Sequence, residues 1–456
     1  MSNPIINFDN LKIVDTPEKH QKFYIETYGC QMNVADSELV VSILQNSGFA
    51  YSAKMEDADL LLINTCSIRD NAEQRVFGRL DIFRLMKKKK PSVLIAVIGC
   101  MAERLKTQLL EVEYKVDIVI GPDAYRNLPL LIHQAEGGQK SINVLLSREE
   151  TYADISPVRI GSNHVSAFIS IMRGCDNMCS YCVVPFTRGR ERTRDPQTIL
   201  NEIKNLSIEG YKEITLLGQN VDKYFWEKDQ YGFADLLKHA AEIDSSMRIR
   251  FSTSFPKDLT DRVIETMAAY PNICKSIHLP VQSGSNRILE LMKRGYTREY
   301  FMQRVESIRK HIPDCAISTD IIAGFCSETE EDHQETMDLL RSVKTDFAYM
   351  FKYSERPNTY AQRNFPDDVP EEIKTRRLSE IIDLQNQLAL VSNQNDIGKT
   401  FEVLVEGFSK KSKLNLFGRN SQNKVIVFPA LNYKTGDYVH VMVESCSSAT
   451  LKGKSV

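Results

Sequence analysis

Short apolar runs alternate with amphipathic stretches over the first third of this 456-residue chain. FYIETYG, DLLLINT, SVLIAVIG and VDIVIG are apolar at successive positions, as strands buried on both faces are. Between them, DSELVVSILQNSG and RDNAEQRVFGRLDIFRLMKKKK carry helical spacing. Strand and helix in alternation predict an α/β domain with a mainly parallel sheet over residues 21–138. Lys87–Lys90 close the second helix just before Pro91, which reads as a solvated, dipole-compatible helix end rather than an RNA contact.

Residues 139–165 read as a linker with one short extended piece. The alternation then resumes, with strands expected at AFISIMR, EITLLG, RIRFSTS, SIHLPV, AISTDIIAG and FAYMFKYS, each followed by a helical pattern. Six such units predict a partial (β/α)6 barrel over 161–392, with its chemistry at the C-terminal ends of the strands. EEIKTRRLSEIIDLQNQLALVSNQND reads as a long closing helix. From 394 to 456 the pattern changes to short strands, TFEVLVEGFSK, KLNLFGR, KVIVFPA and DYVHVMVES, parted by Gly, Asn and Lys turns. A small all-β, OB-like barrel is expected there.

Charge changes this picture only at the end of the chain. Overall, 58 Lys and Arg against 60 Asp and Glu leave a net charge of −2, which excludes nucleic-acid binding through bulk charge. From Asp396 onward, however, nine basic residues face five acidic ones. Basic loops beside Phe408 and Phe417 suit RNA binding on an OB-like barrel; a solvated β-domain surface is the plainer reading. No apolar stretch is long enough to span a bilayer, and MSNPIINFDNLKIVD lacks the pattern of a signal peptide. A soluble, cytoplasmic protein is expected, and a monomer, since no surplus apolar helix face stands out.

Ten cysteines in a reducing compartment point to metal binding or catalysis before disulfides. Cys175, Cys179 and Cys182 lie in RGCDNMCSYC, directly after the first barrel strand. Thiolates select iron–sulfur clusters or zinc, and a [4Fe–4S] cube normally takes four cysteines. Three would leave one iron open to a ligand bound through oxygen and nitrogen. Cys30, Cys66 and Cys100 each end a predicted strand of the first domain, in FYIETYGC, LLLINTC and LIAVIGC. In a parallel sheet such ends share one edge, where ligands bind. Gly29 and Gly99 precede two of them and permit close approach to a bulky ligand. A second cluster with three protein ligands fits this set. Cys274, Cys315, Cys326 and Cys446 share no spacing and read as core or incidental. His278 stands open between lining the site and a satisfied structural histidine.

CxxxCxxC in the first loop of a β/α barrel, with Tyr181 just before the last cysteine, resembles the radical S-adenosylmethionine (SAM) superfamily. Two cysteine triplets, a parallel α/β domain, that barrel and a basic β tail together resemble the methylthiotransferase family over nearly the whole chain. TYGCQMNVADSE, LLGQNVDKY, FSTSFPKDL, HLPVQSGSNRILELMKRGYT and STDIIAGFCSETEED are similar to its MiaB-type tRNA branch. One departure is Cys326-Ser327, where many relatives have Pro-Gly; it is expected to alter loop shape rather than chemistry.

The resemblance implies methylthiolation at carbon-2 of N6-isopentenyladenosine at position 37 of tRNA, beside the anticodon. It implies two [4Fe–4S] clusters and two SAM molecules per turnover. One SAM methylates sulfur at the cluster of Cys30, Cys66 and Cys100. The other is cleaved at the cluster of Cys175, Cys179 and Cys182 to give a 5′-deoxyadenosyl radical. An electron donor such as flavodoxin or ferredoxin and a sulfur and cluster supply system are implied partners. The implied SAM contacts are Tyr181, Gly218, Gln219, Asn220, Ser252, Ser254, Gln282, Arg294, Asp320 and Gly324. In TRGRERTR, Arg188, Arg190, Arg192 and Arg194 read as contacts to SAM carboxylate or tRNA phosphate, against a solvated loop. Lys410, Lys411, Lys413, Phe417 and Arg419 are the RNA contacts expected of the tail, a TRAM domain in the family.

Two neighbouring readings keep the chemistry and change the substrate to threonylcarbamoyladenosine in tRNA or a ribosomal-protein aspartate. TYGCQMN speaks against both; the aspartate branch usually carries a Gly-Cys-x-Lys-Asn version at this point. A reading from another class is an RNA-binding scaffold with structural zinc, which would be colourless and free of iron.

Overall fold

A computed structural model describes residues 21–66, 70–111, 114–159 and 164–456. The N-terminal MSNPIINFDNLKIVD and the expected domain boundary at 161 lie outside the described residues. Two compact bodies are formed. The first comprises the described residues up to 159 with Phe168–Asp176 and Val183–Thr198; the second comprises 164–167, Asn177–Cys182 and Ile199–Val456.

The first body runs β1 (Lys22–Thr27), α1 (Gln31–Asn46), β2 (Ala50–Tyr51), β3 (Leu60–Thr65), α2 (Asp70–Lys89), β4 (Leu94–Gly99), α3 (Cys100–Leu105), β5 (Ile118–Ile120), α4 (Leu128–Glu136) and β6 (Ser141–Asn143). These six strands pair in parallel, in the order β2-β1-β3-β4-β5-β6, while Met172–Arg173 and Arg192–Thr193 of the same body form a separate antiparallel pair. Successive strand residues feed two separate cores, because strand side chains alternate between faces. Phe23, Ile25, Leu60, Leu62, Ala96 and Ile98 pack with α1 and α4. Leu61, Ile63, Ile95 and Val97 pack with α2 and α3. Both faces are therefore covered, which explains the unbroken apolar runs. Part of the expected linker belongs to this body: β6 adds its sixth strand, and Tyr152 is buried with its ring stacked 5.8 Å from that of Tyr125.

In the second body the parallel strands Glu213–Leu217 and Arg248–Ser252 pair, as do Ser276–His278, Ala316–Ala323 and Phe347–Lys352. The two sets meet through the Ile249–Ile273 bridge and a bond from the Ser254 N–H to the His278 carbonyl at 3.1 Å. Val165, leading into the strand Ser166–Ser170, accepts from the Lys212 and Glu213 N–H groups. The sheet stays open, with helices Phe233–Ile243, Asp261–Ala269, Arg298–His311 and Glu330–Val343 joining strand to strand. A short helix, Asn286–Leu291, was not expected from the sequence; Glu371–Gln394 is the long closing helix.

The tail is a closed five-stranded barrel in the order 400–409, 412–419, 425–429, 451–455 and 438–446. Val403, Val405, Leu416, Ile426, Phe428, Val441 and Leu451 fill it. It is docked on the β/α sheet. Arg248 donates to the Arg419 and Glu402 carbonyls at 2.7 and 2.8 Å, and the Tyr438 hydroxyl donates to the Lys212 carbonyl at 2.8 Å. At the Cys326-Ser327 departure, Ser327 takes φ +60°, the left-handed conformation that glycine adopts freely, and its N–H is held by Asp368 at 2.7 Å.

Candidate functional site

Cys30, Cys66 and Cys100 follow β1, β3 and β4, three adjacent strands of one parallel sheet, so all three lie at the same sheet edge. The Cys30 thiol hydrogen-bonds with that of Cys66, and this contact, against burial and aided by Arg188, holds the Cys30 proton affinity below the usual thiol range. Burial pushes the Cys100 thiol up, with Arg188 opposing. Both flanking glycines have positive φ, +129° at Gly29 and +90° at Gly99. A Cβ on Gly29 would lie 2.5 Å from the Cys66 Cβ; one on Gly99 would lie 2.3 Å from Asn64 Oδ1 and 2.9 Å from the Thr65 carbonyl. Three soft thiols at one edge, in a cradle that a side chain would fill, fit an iron–sulfur cluster.

A buried ionic network backs these thiols. Asp36 accepts from Arg173 Nη1 and Arg188 Nη2, both at 2.9 Å, while Arg192 makes a two-pronged pair with Asp123 at 2.7 and 2.9 Å. Burial alone would raise the Asp36 carboxyl, but the two guanidiniums outweigh it and hold it below its ordinary value. Arg188 Nη2 also donates to Asn33 Oδ1 at 3.0 Å, and the Cys30 thiol lies 3.6 Å from that same oxygen.

These contacts correct the reading of TRGRERTR. Arg188, Arg192 and Arg194 are buried inside the first body, Arg194 on the Thr198 hydroxyl and the Ser170 carbonyl. Only Arg190 is exposed, at 3.4 Å from Asp176. Asn33, Asp36, Asp123 and Arg173 were not singled out from sequence. Asp36 stood within the quoted TYGCQMNVADSE, and a carboxylate on the core-facing start of a helix was the available signal.

The second triplet is carried on one loop. Cys175 belongs to the first body, where its N–H donates to the Gly189 carbonyl at 3.1 Å; Cys179 and Cys182 belong to the second. There the loop is pinned by Ser180, whose N–H and hydroxyl donate to the Met292 and Leu291 carbonyls at 3.0 and 2.7 Å. Arg294 Nη1 reaches the Cys179 thiol at 3.3 Å and the Tyr181 hydroxyl at 3.4 Å. Its other nitrogens hold the Tyr296 hydroxyl at 3.0 Å and the Pro280 carbonyl at 2.6 Å, and it stacks on Phe255. Arg294, expected among the SAM contacts, thus places four hydrogen bonds on protein groups, one of them at a cluster thiol. Burial pushes the Tyr181 phenol far above its usual range, with Arg294 opposing.

The strand ends beside this loop bring the expected polar groups together. Gly218, Gln219 and Asn220 follow Glu213–Leu217, and the Gly218 N–H donates to the Ser252 carbonyl at 3.0 Å. Asn220 is fully buried; its Nδ2 donates to Asp258 at 2.6 Å, and its Oδ1 has no partner among the described residues. Ser254 Oγ lies 3.4 Å from Asp222 Oδ1. Gln282 exchanges backbone bonds with Asp320 and Ile322, and Asp320 Oδ1 lies 3.3 Å from His278 Nε2. His278 also meets Ser318 Oγ at 3.0 Å and packs edge-on to Tyr349, so it lines the sheet face that carries Asp320. At Gly324 the N–H is held by Glu328 at 2.9 Å, and Lys374 fills the space of a Cβ.

On the tail barrel Lys410, Lys411 and Lys413 are exposed at the turn between the first two strands, beside exposed Phe408 and Leu414. Phe417 is half-buried opposite Gly407, and Arg419 is tied to Glu406 at 2.6 Å.

Family models match three stretches: an uncharacterized protein family, UPF0004, over residues 22–121; the radical SAM superfamily over 169–340; and the TRAM domain over 394–456. The chain is 56% identical to a tRNA-2-methylthio-N(6)-dimethylallyladenosine synthase of Phocaeicola vulgatus, covering 97% of each chain. It is likewise 56% identical to a protein of that name from Amoebophilus asiaticus, covering 98% of this chain and 94% of the other. One from Flavobacterium johnsoniae is 54% identical, over 98% and 96%. Among solved structures, a radical SAM methyltransferase from Kitasatospora setae, with cobalamin and a [4Fe-4S] cluster bound, is similar in fold. It matches at a TM-score of 0.58 and 12% identity, over 75% of this chain and 77% of that one.

Proposed function

Since the chain belongs to the family of tRNA-2-methylthio-N6-dimethylallyladenosine synthases, we propose that it adds a methylthio group to carbon-2 of N6-isopentenyladenosine in tRNA. The observation that carries this reading is the meeting of Cys30, Cys66 and Cys100 at one sheet edge, in a chain whose barrel loop holds a separate CxxxCxxC. One thiol triplet would serve radical formation; two divide the labour.

Cys175, Cys179 and Cys182 hold one [4Fe–4S] cluster, and Cys30, Cys66 and Cys100 hold the auxiliary one. When bound, the clusters and SAM supply a 5′-deoxyadenosyl radical and a methylated sulfur, which the unreactive aromatic C–H of adenine requires. Arg294 sets a positive charge against the Cys179 sulfur. Gly218, Gln219, Asn220, Ser252, Ser254, Gln282 and Asp320 would contact SAM, with Tyr181 beside the loop. Asn220 Oδ1, buried without a partner among the described residues, is the acceptor best suited to the amino group of SAM. On the tail, Lys410, Lys411 and Lys413 meet tRNA phosphates, and Phe408 offers a face for stacking.

A monomer in the cytoplasm, reduced by a flavodoxin or ferredoxin and served by a sulfur and cluster supply system, completes the proposal. Among the described residues no helix is long and apolar enough to cross a membrane.

Mass spectrometry of tRNA nucleosides from cells lacking the protein tests the substrate. Methylthio-isopentenyladenosine should vanish; its persistence, with no other enzyme supplying it, overturns the proposal. Replacing Cys175, Cys179 and Cys182 together by Ala should abolish SAM cleavage and leave about four irons per chain at the auxiliary site. Surviving cleavage would mean that the roles of the two triplets are misassigned.

A further inference from the structure

In the network behind the first thiol triplet, three guanidiniums, those of Arg173, Arg188 and Arg192, meet two carboxylates, Asp36 and Asp123. All five side chains are buried. One positive charge is therefore left unbalanced inside the first body, and an unpaired buried charge is costly. The imbalance has a direction. Arg173 spends Nη1 on Asp36 and Nη2 on the Pro122 carbonyl at 3.0 Å. Arg192 spends both terminal nitrogens on Asp123. Arg188 spends Nη2 on Asp36 and Asn33, whereas its Nη1 is buried and meets no oxygen acceptor among the described residues; the guanidinium's remaining side-chain contact is with the Cys100 thiol. The groups facing this guanidinium from the packed elements are Asn33 and Asp36 of α1, the Tyr125 hydroxyl near Asp36, and the thiols of Cys30 and Cys100. Of these, the Cys100 thiol is the one that shares a further side-chain hydrogen bond with the guanidinium.

The geometry points to Arg188 as a positioning residue of the auxiliary cluster, its Nη1 donating to a sulfur there and its charge balancing the anionic thiolates. The inference rests on the reading that Cys30, Cys66 and Cys100 hold a cluster. Hydrogen bonds to cluster sulfurs, and positive charge beside them, favour the reduced state. The residue comes from the chain segment that follows the radical-forming loop. Cys175 and Arg188 are tied within the first body by the bond from the Cys175 N–H to the Gly189 carbonyl. Loss of Arg188 should consequently be felt at the sulfur-handling site, although the sequence places it beside the other triplet.

The test uses the full chain with Cys175, Cys179 and Cys182 replaced by Ala, so that only the auxiliary cluster forms. Iron content comes first: no iron here would overturn the two-cluster reading and the inference with it. With iron bound, protein carrying 15N-labelled arginine is reduced and studied by pulsed electron paramagnetic resonance. A 15N coupling to the cluster, lost in R188K, is the expected result. Absence of coupling, or a coupling that survives in R188K, overturns the role of Arg188 while leaving the cluster in place. A redox titration supplies the second readout. R188Q should shift the cluster's midpoint potential to more negative values, and R188K, which keeps the charge, should shift it less. Equal potentials in all three proteins would contradict the inference. Should R188Q fail to fold, the labelled protein with native Arg188 still decides.

Discussion

At Asp222 burial competes with hydrogen bonding, and burial wins. The Phe255 N–H reaches its Oδ2 at 3.0 Å and the Ser254 hydroxyl reaches its Oδ1 at 3.4 Å, both favouring the carboxylate. Desolvation outweighs them and, with Asp258 adding repulsion, pushes the carboxyl up to about 7. An unfolded Asp titrates near about 3.9. Between roughly pH 4 and 7 the folded chain therefore keeps a proton that the unfolded chain has released. Stability from this group is full below the unfolded value and is lost as pH rises through the folded one. D222N removes the titration but keeps the shape. Relative to the parent apoprotein, D222N should gain melting temperature steadily from pH 5 to 8, by an amount equivalent to about 1–4 kcal/mol in total. Other titrating groups cancel in that difference. A gap between the two proteins that stays flat with pH would show that Asp222 is already ionised when folded.

At the scale of elements, the strand ends explain why one half of the site was legible and the other was not. Unbroken apolar runs imply a parallel sheet, and a parallel sheet places the residues after β1, β3 and β4 on one edge. Cys30, Cys66 and Cys100 could thus be grouped without coordinates. Arg188 and Arg192 could not, because their carboxylate partners lie 152 and 69 residues away in sequence. Charged residues in a Gly-containing loop are ordinarily exposed, and nothing in TRGRERTR shows otherwise. The last barrel strand, Leu451–Ser455, escaped for a related reason: only Leu451 is a large apolar residue among its five. The cradle glycines give this scale its prediction. G99A should sharply lower the iron held by the first body in the background lacking the other triplet, since its Cβ would strike backbone and Asn64. Gly138 has a similar φ of +82° and open space around it, so G138A imposes the conformational strain alone. Iron per chain should fall in G99A and hold in G138A. Equal iron in the two would mean that the cradle is not what shapes the site.

For the chain as a whole, the tail barrel raises the question of whether it is a tethered RNA-binding module or part of the second body. Its contacts favour the second. Arg250 donates to the Asn420 carbonyl at 2.8 Å, Arg248 to two barrel carbonyls, and Asn393 of the closing helix to the Ser447 carbonyl at 2.9 Å. Lys424 joins Asp396 at 2.6 Å and lies 3.5 Å from Asp346. Ending the chain after residue 395 would leave Arg248 and Arg250 without these acceptors, and a buried donor that loses its partner costs about 1–3 kcal/mol. Truncation should then lower the melting temperature of the apoprotein as well as its affinity for tRNA. The exposed lysines make no such contacts, so K410A/K411A/K413A should change stability by no more than about 0.5 kcal/mol. Its effect should appear in the salt dependence of tRNA binding, whose logarithmic slope should flatten by roughly 0.7–0.9 for each lysine that meets a phosphate. Melting curves and binding isotherms at several salt concentrations separate the two effects. If truncation spared the melting temperature and reproduced only the binding loss of the triple variant, the barrel would be a tether after all, and its docking bonds would carry no weight in the fold.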